Sequence, residues 1–214
     1  MAIKKANKKV ASATFNSKTK DWDWDEVTWN LGKDNIYYSN RHYPKKFWNK
    51  KWDRSQRDVA GVLLCRLNKE EDNLEVFIVQ CYKNKWGFPK GKTDKGETFK
   101  KGACREFHEE SGTIIDLDNA TELKIIDNSK RRRIIFFYKI EDSTFEIITK
   151  PRATVEITAF GWVPIENILD YNISISAKKV LKKISSEIPP EFPDMTKNIL
   201  SEFKTKLVKG SNKN

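Results

Sequence analysis

Three glutamates, Glu106, Glu109 and Glu110, stand at i, i+3 and i+4 in the run TFKKGACREFHEESG, residues 98–112. At about 100° per residue they point to one side of a helix. Phe99, Ala103 and Phe107 form an i, i+4, i+8 stripe on the same segment, the natural face to bury. On a helical wheel Glu110 falls inside the arc of that stripe and Glu106 falls at its edge. Like charges one turn apart repel, and partly buried carboxylates lose hydration. A divalent cation relieves both costs, since Mg²⁺ or Mn²⁺ prefers carboxylate oxygens, water and phosphate. A solvated acidic helix face accounts for three glutamates but not for their overlap with the apolar stripe.

The elements that must position these side chains read as alternating strands and helices. Val59–Leu67 and Leu74–Cys81 are apolar, β-branched runs around the polar turn NKEEDN, and predict a hairpin. Thr98–Ser111 predicts a helix stopped by Gly112. Ile134–Ile140 and Thr158–Val163 predict strands, and Ile175–Ile184 and Met195–Val208 predict helices separated by Pro189, Pro190 and Pro193.

Charge is divided unevenly over the 214 residues, whose net formal charge is +11. Residues 1–60 carry 14 Lys/Arg against 7 Asp/Glu, residues 61–170 carry 18 against 19, and residues 171–214 carry 9 against 4. A near-neutral middle between basic flanks suits a polyanionic partner, although basic termini also serve solubility alone. The first 20 residues are Lys/Asn/Ser/Thr-rich and predict disorder. From Trp22 to Trp52 the chain carries five of its seven tryptophans, which predicts packing on the main domain. Cys65, Cys81 and Cys104 form no CxxC pair, so buried thiols in a reducing compartment are expected. No apolar run approaches the length of a membrane span and no secretory pattern follows the basic start. The expected setting is cytoplasmic, with no membrane partner. His42 and His108 form no metal or triad pattern.

The stretch from Gly91 to Thr113 resembles the Nudix box: Gly91, Glu97, Arg105, Glu106, Phe107, Glu109, Glu110 and Gly112 fall at its fixed positions. Only the final apolar position departs, being Thr113. The resemblance implies that Glu106, Glu109 and Glu110 ligate metal, with Glu109 alternatively the base acting on the attacking water. It implies a further ligand in the backbone carbonyl of Lys90, and an Arg105–Glu97 pair that holds the loop to the helix. It also implies two or more Mg²⁺ or Mn²⁺ ions and hydrolysis of a diphosphate bridge.

The flanks argue the substrate. WGFPKGK, Trp86–Lys92, resembles the box entry of mRNA-decapping enzymes of cells and large DNA viruses, although relatives acting on diadenosine or diphosphoinositol compounds have similar entries. Lys90 and Lys92 bring positive charge toward a phosphate chain. The run from Val155 to Ile165 resembles the late strand of decapping enzymes, which implies that Glu156 is a metal ligand or general base; a solvent-facing strand glutamate is the alternative. Lys130, Arg131, Arg132 and Arg133 read as RNA phosphate contacts or as a charged strand edge. Trp48, Trp52 and Trp86 are candidates to stack a methylated guanine, against structural packing as the plainer role.

The expected fold is an α/β Nudix sandwich (α/β/α) with a mixed sheet over residues 59–170. A Trp-rich extension, 1–58, precedes it and a basic helical extension, 171–214, follows. Cellular decapping enzymes carry a longer helical regulatory domain than 58 residues allow, so a compact viral-type or stand-alone enzyme fits better, in a host cytoplasm if it is viral. The expected reaction releases 7-methylguanosine diphosphate from capped mRNA and leaves 5′-monophosphate RNA. Two rivals stay open: hydrolysis of diphosphoinositol or (di)nucleoside polyphosphates, and a non-catalytic RNA-binding module.

Overall fold

The computed structural model describes residues 28–40, 57–68, 73–81, 84–127, 132–147 and 157–186, and parts of 194–202. It also describes the backbone of a two-stranded ribbon, β1 (Ala13–Asn16) antiparallel to β2 (Asp21–Trp24). Disorder was the expectation over the first 20 residues, and Ala13–Asn16 departs from it by pairing.

The remaining nine strands form one sheet: β3 (Trp29–Leu31), β4 (Ile36–Ser39), β5 (Val59–Asn68), β6 (Asn73–Cys81), β7 (Lys85–Gly87), β8 (Lys90–Lys92), β9 (Thr121–Asp127), β10 (Arg132–Glu141) and β11 (Ile157–Pro164). Their order is β3-β4-β11-β6-β5-β10-β9, with β7 on β6 and β8 on β5. Only β10 on β5 is parallel, so the sheet is mixed.

Both faces are buried, which is why β5 and β10 read as nearly continuous apolar runs. Along β5, Val59, Leu63 and Cys65 point to one face and Ala60, Val62 and Leu64 to the other. Helix α1 (Phe99–Ser111) covers the second face with Ala103 and Phe107, and Phe107 packs on Phe77 at 5.8 Å between centroids. The first face receives a 3₁₀ turn (Ile165–Asp170) and helix α2 (Ile175–Ser186) through Ala177, Val180, Leu181 and Ile184. The result is an α/β sandwich. Because α2 closes this layer, the core runs past the residue-170 limit drawn from the sequence. Most of the helix expected over Met195–Val208 lies outside the described residues.

The feature that positions the site is a split hairpin. β5 and β6 pair only from Cys65–Asn68 to Asn73–Val76. Beyond that they part, and residues 85–92 enter between them, β7 pairing with β6 and β8 with β5. The Pro89 carbonyl accepts from Val62 N at 2.9 Å and fixes the middle of this wedge. Proline suits the point because it has no amide that would need a ladder partner. The segment WGFPKGK is this wedge.

Candidate functional site

Helix α1 is bounded as its sequence directs. Thr98 caps it through Oγ1, which accepts from Lys101 N at 3.3 Å. Gly112 ends it in the left-handed region at φ 79°, its amide donating to the His108 carbonyl. Between these limits the carboxylates follow the helical wheel: the Glu109 side chain is 45% exposed, that of Glu106 is 13% exposed, and Glu110 is buried.

Two of the three acids meet the wedge. Glu110 Oε2 accepts from Lys90 N at 3.0 Å. The Glu106 carboxyl lies against Gly91 so closely that a β-carbon there would stand 2.0 Å from it. This is the physical reason for glycine at the head of the motif: only a residue without a side chain lets strand β8 and the carboxylate share that space.

Arg105 joins the pieces. Its Nε and Nη2 each donate to one oxygen of Glu97 at 3.0 Å, a two-pronged pair. Nη2 also donates to the Lys92 carbonyl at 2.9 Å, and Nη1 donates to Glu106 at 2.8 Å and Glu109 at 3.3 Å. The Glu97 carboxyl accepts from Asp94 N as well, at 2.9 Å. Hydrogen bonds from Arg105, over a smaller opposing effect of burial, hold the Glu97 carboxyl below its ordinary range. The same partners raise the Arg105 pKa, with Glu97 the largest cause. Gly102 sits under this loop, a β-carbon there standing 3.0 Å from Glu97 Oε2.

Three carboxylates on one and a half turns supply hard oxygen donors, and the space at Gly91 holds one of them against the wedge. That chemistry suits a divalent cation. Among the described residues no three acids, histidines or cysteines converge as a metal cluster. Arg105 supplies the compensating positive charge to Glu106 and Glu109. Repulsion among these acids is thus relieved in part by a residue of the chain itself, beside whatever a cation would contribute.

The structure brings Glu97, Arg105, Glu106, Glu109, Glu110 and the backbone of Lys90 and Lys92 into one cluster. Glu156, Lys130, Arg131, Trp48 and Trp52 lie outside the described residues. Two other expectations change. Trp86 is 5% exposed and packs edge-on against Tyr171 on the α2 side of the sheet, away from the carboxylates. Its ring is therefore a core residue and not a stacking platform for a ligand at this cluster. Arg132 and Arg133 begin strand β10. The Arg133 guanidinium donates twice to Asp58 Oδ2, at 2.6 and 2.9 Å, and lies over the Phe99 ring at 4.9 Å. Burial works against the Asp58 charge, but the hydrogen bonds and charge of Arg133 outweigh it and lower the carboxyl's pKa. Arg133 therefore braces the start of α1, and its charge is partly neutralised by Asp58.

Sequence reading missed Asp58 and Asp94, which tie Arg133 and Arg57 to the box loop. Neither belongs to a spaced motif, so only their neighbours in space give them away. It also missed the β3–β4 hairpin, whose signal was the turn sequence GKDN between two short aromatic runs.

The NUDIX domain family matches residues 55–184, and the chain belongs to that family. A relative from Invertebrate iridescent virus 3, "Putative hydrolase 111R", is 30% identical over 133 residues, 61% of this chain and 72% of the viral one. Among solved structures, a C. elegans Ap4A hydrolase is 19% identical with a TM-score of 0.47, covering 62% of this chain and 97% of that one. The NUDIX domain of Shewanella oneidensis NrtR, solved with ADP ribose, is 14% identical with a TM-score of 0.45, covering 69% and 100%. Nudix hydrolases generally use divalent metals such as Mg²⁺ or Mn²⁺. Among the described residues no helix is long and apolar enough to cross a membrane.

Proposed function

We propose that this chain hydrolyses the 5′ cap of mRNA, releasing 7-methylguanosine diphosphate and leaving 5′-monophosphate RNA. The observation that carries the reaction class is the carboxylate cluster of α1 locked to the WGFPKGK wedge by Arg105 and Lys90 N. The choice of RNA rests on the net charge of +11, concentrated in the two flanks, and on the resemblance of the wedge to decapping enzymes.

In this reading Glu106, Glu109, Glu110, the Lys90 carbonyl and Glu156 would hold two or more Mg²⁺ or Mn²⁺ ions. When bound, such ions neutralise charge on the phosphates and make water a stronger nucleophile. Glu109, the most exposed of the three helix acids, would take a proton from the attacking water, with Glu156 the alternative base. Arg105 and Glu97 would act by holding the loop so that the acids keep their spacing. Lys90, Lys92 and the run from Lys130 to Arg133 would supply positive charge to the phosphate chain, with Arg133 the weakest because Asp58 already engages it.

A smaller substrate, a diphosphoinositol or (di)nucleoside polyphosphate, is the second reading, and the internal pairing of Arg133 favours it. A non-catalytic RNA-binding role fits poorly with a complete set of box carboxylates.

RNA labelled in its cap, incubated with the protein and Mg²⁺ or Mn²⁺, decides among these. Uncapped RNA and a diphosphoinositol phosphate run in parallel. Release of 7-methylguanosine diphosphate, lost in Glu109→Gln and Glu110→Gln while RNA binding and folding persist, is the expected result. Turnover of the small substrate alone transfers the chemistry to the second reading, and wild-type turnover in either variant overturns the metal assignment.

A further inference from the structure

We propose that Asp58, outside the Nudix box, is a positioning residue for the α1 carboxylates. It holds the box loop with its main chain and the start of α1 with its side chain, through Arg133. The inference rests on the reading that those carboxylates bind a divalent cation.

Asp58 immediately precedes β5, and the β5–β8 ladder ends on the pair Val59–Lys92. The Asp58 carbonyl carries the pairing one residue further, accepting from Thr93 N at 3.0 Å and from Thr93 Oγ1 at 3.3 Å. Thr93 is where the wedge gives way to the box loop, next to Lys92, whose carbonyl Arg105 holds. Thr93 is buried, and its Cγ2 would stand 3.1 Å from a β-carbon at Gly102 of α1. The loop is thus pressed between the entry of β5 and the helix. Arg57 adds a second tie, its Nη1 donating to Asp94 Oδ1 at 3.1 Å.

The Asp58 side chain turns to β10 instead. Its Oδ1 accepts from Arg133 N at 2.7 Å, and Oδ2 accepts from Arg133 Nε and Nη2 at 2.9 and 2.6 Å. Three bonds from one residue to one carboxylate leave the guanidinium little freedom. It lies 4.9 Å from the ring centroid of Phe99, the first residue of α1. Both ends of the helix are therefore tied down. Glu110 is bonded to the wedge near the C-terminal end, and Phe99 sits under Arg133 at the N-terminal end. Glu106 lies between these anchors, so a helix held at both fixes where that carboxylate stands.

Exposure separates this role from simple stabilisation. The Arg133 side chain is 68% exposed and that of Asp58 is 23% exposed. An ion pair so open to water adds little to stability. What it supplies is direction, because a guanidinium gripped on two nitrogens cannot leave the ring it covers.

The test is Mn²⁺ titration of the full chain without substrate, read by electron paramagnetic resonance, beside urea unfolding. Leaving substrate out removes any part that Arg133 plays on phosphates. Asp58→Ala and Arg133→Ala should each weaken Mn²⁺ binding about ten-fold, the lower end of what partners behind metal ligands are worth. The double variant should lose no more than either single one, because the two residues act as a unit. Arg133→Lys keeps a cation near Phe99 without the two-pronged pair, and should fold as wild type and fall between. Unchanged Mn²⁺ affinity in the single variants, with only the urea midpoint lowered, assigns the pair to structure and overturns the proposal. Additive losses in the double variant overturn it as well. Glu110→Gln reports on the underlying reading. If that variant binds Mn²⁺ as wild type does, the metal reading falls and this inference falls with it. If it loses Mn²⁺ while Asp58→Ala does not, only the inference fails.

Discussion

The loop and helix from Gly91 to Gly112 lie against one face of the sheet and the hairpin from Trp29 to Ser39 extends that sheet at its edge, and the two are held in opposite ways. The first is fixed by directional bonds. Arg105 alone makes contacts to Glu97, Glu106, Glu109 and the Lys92 carbonyl, and Glu110 is buried against an amide. The second is fixed by ladder hydrogen bonds and ring packing on Phe160, with its outer rings half in water. Bonds of the first kind tolerate no change of residue type. Packing of the second kind tolerates several rings at one position, so the box region is closely specified and the hairpin is freer to vary.

The comparison breaks most sharply at Gly91. A methyl group there would overlap the Glu106 carboxyl at 2.0 Å, so Gly91→Ala must expel that acid or lift β8 from β5. Displacing a catalytic group by about an ångström costs roughly a hundred-fold in rate. We expect Gly91→Ala to lose at least that much kcat on any polyphosphate, with a smaller loss of substrate affinity. Steady-state kinetics beside direct binding tests it; undiminished kcat would show that Glu106 is not needed where the structure puts it.

That glycine also explains why one region was legible in the sequence and the other was not. In the box, each role demands one residue type at one offset: Gly91 for space, Glu97 and Arg105 for a two-pronged pair, Gly112 for a left-handed turn. Spacing along a helix converts directly into geometry, so the relative burial of Glu106, Glu109 and Glu110 followed from the wheel. Trp29 and Tyr37 carry no such constraint. Alternation in a strand gives the faces of a hairpin but not which sheet edge it joins, and the pairing of β4 with β11 spans more than 120 residues. Trp86 misled for the same reason: an aromatic beside the box looks like a ligand platform until the register of β7 turns it to the α2 face.

A smaller effect should appear at Gly161, the mirror test of the hairpin. A β-carbon there meets Ile36 at the junction of β4 and β11, leaving the α1 cluster two strands away untouched. Overpacking of this kind costs typically 1–3 kcal/mol. Gly161→Ala should lower stability toward urea by about that much, with kcat on a saturating substrate nearly unchanged. A large loss of kcat would mean that the hairpin and the carboxylates are one rigid unit rather than two.

The smallest effect is the acid limb of stability, and it belongs to the box region. The Glu97 carboxyl is lowered from its ordinary value of 4.5 by the hydrogen bonds of Arg105, and Asp58 is lowered from 3.8 by Arg133 against the opposing effect of its own burial. A group whose folded pKa is depressed adds stability above its unfolded pKa and loses it as the pH falls through the folded value. The window therefore opens near pH 4.5 and extends below it, with no contribution to the slope at neutral pH. Urea unfolding at several pH values should show stability flat above about pH 5.5 with respect to these two acids and falling below about pH 4.5. In Glu97→Gln the fall should be shallower, because one of the two protonations is gone, although the variant starts less stable at pH 7. If the acid limb of Glu97→Gln has the same slope as wild type, the Arg105 pair is screened in solution. The rigidity of the box would then have to come from the Gly91 contact and the buried Glu110 instead.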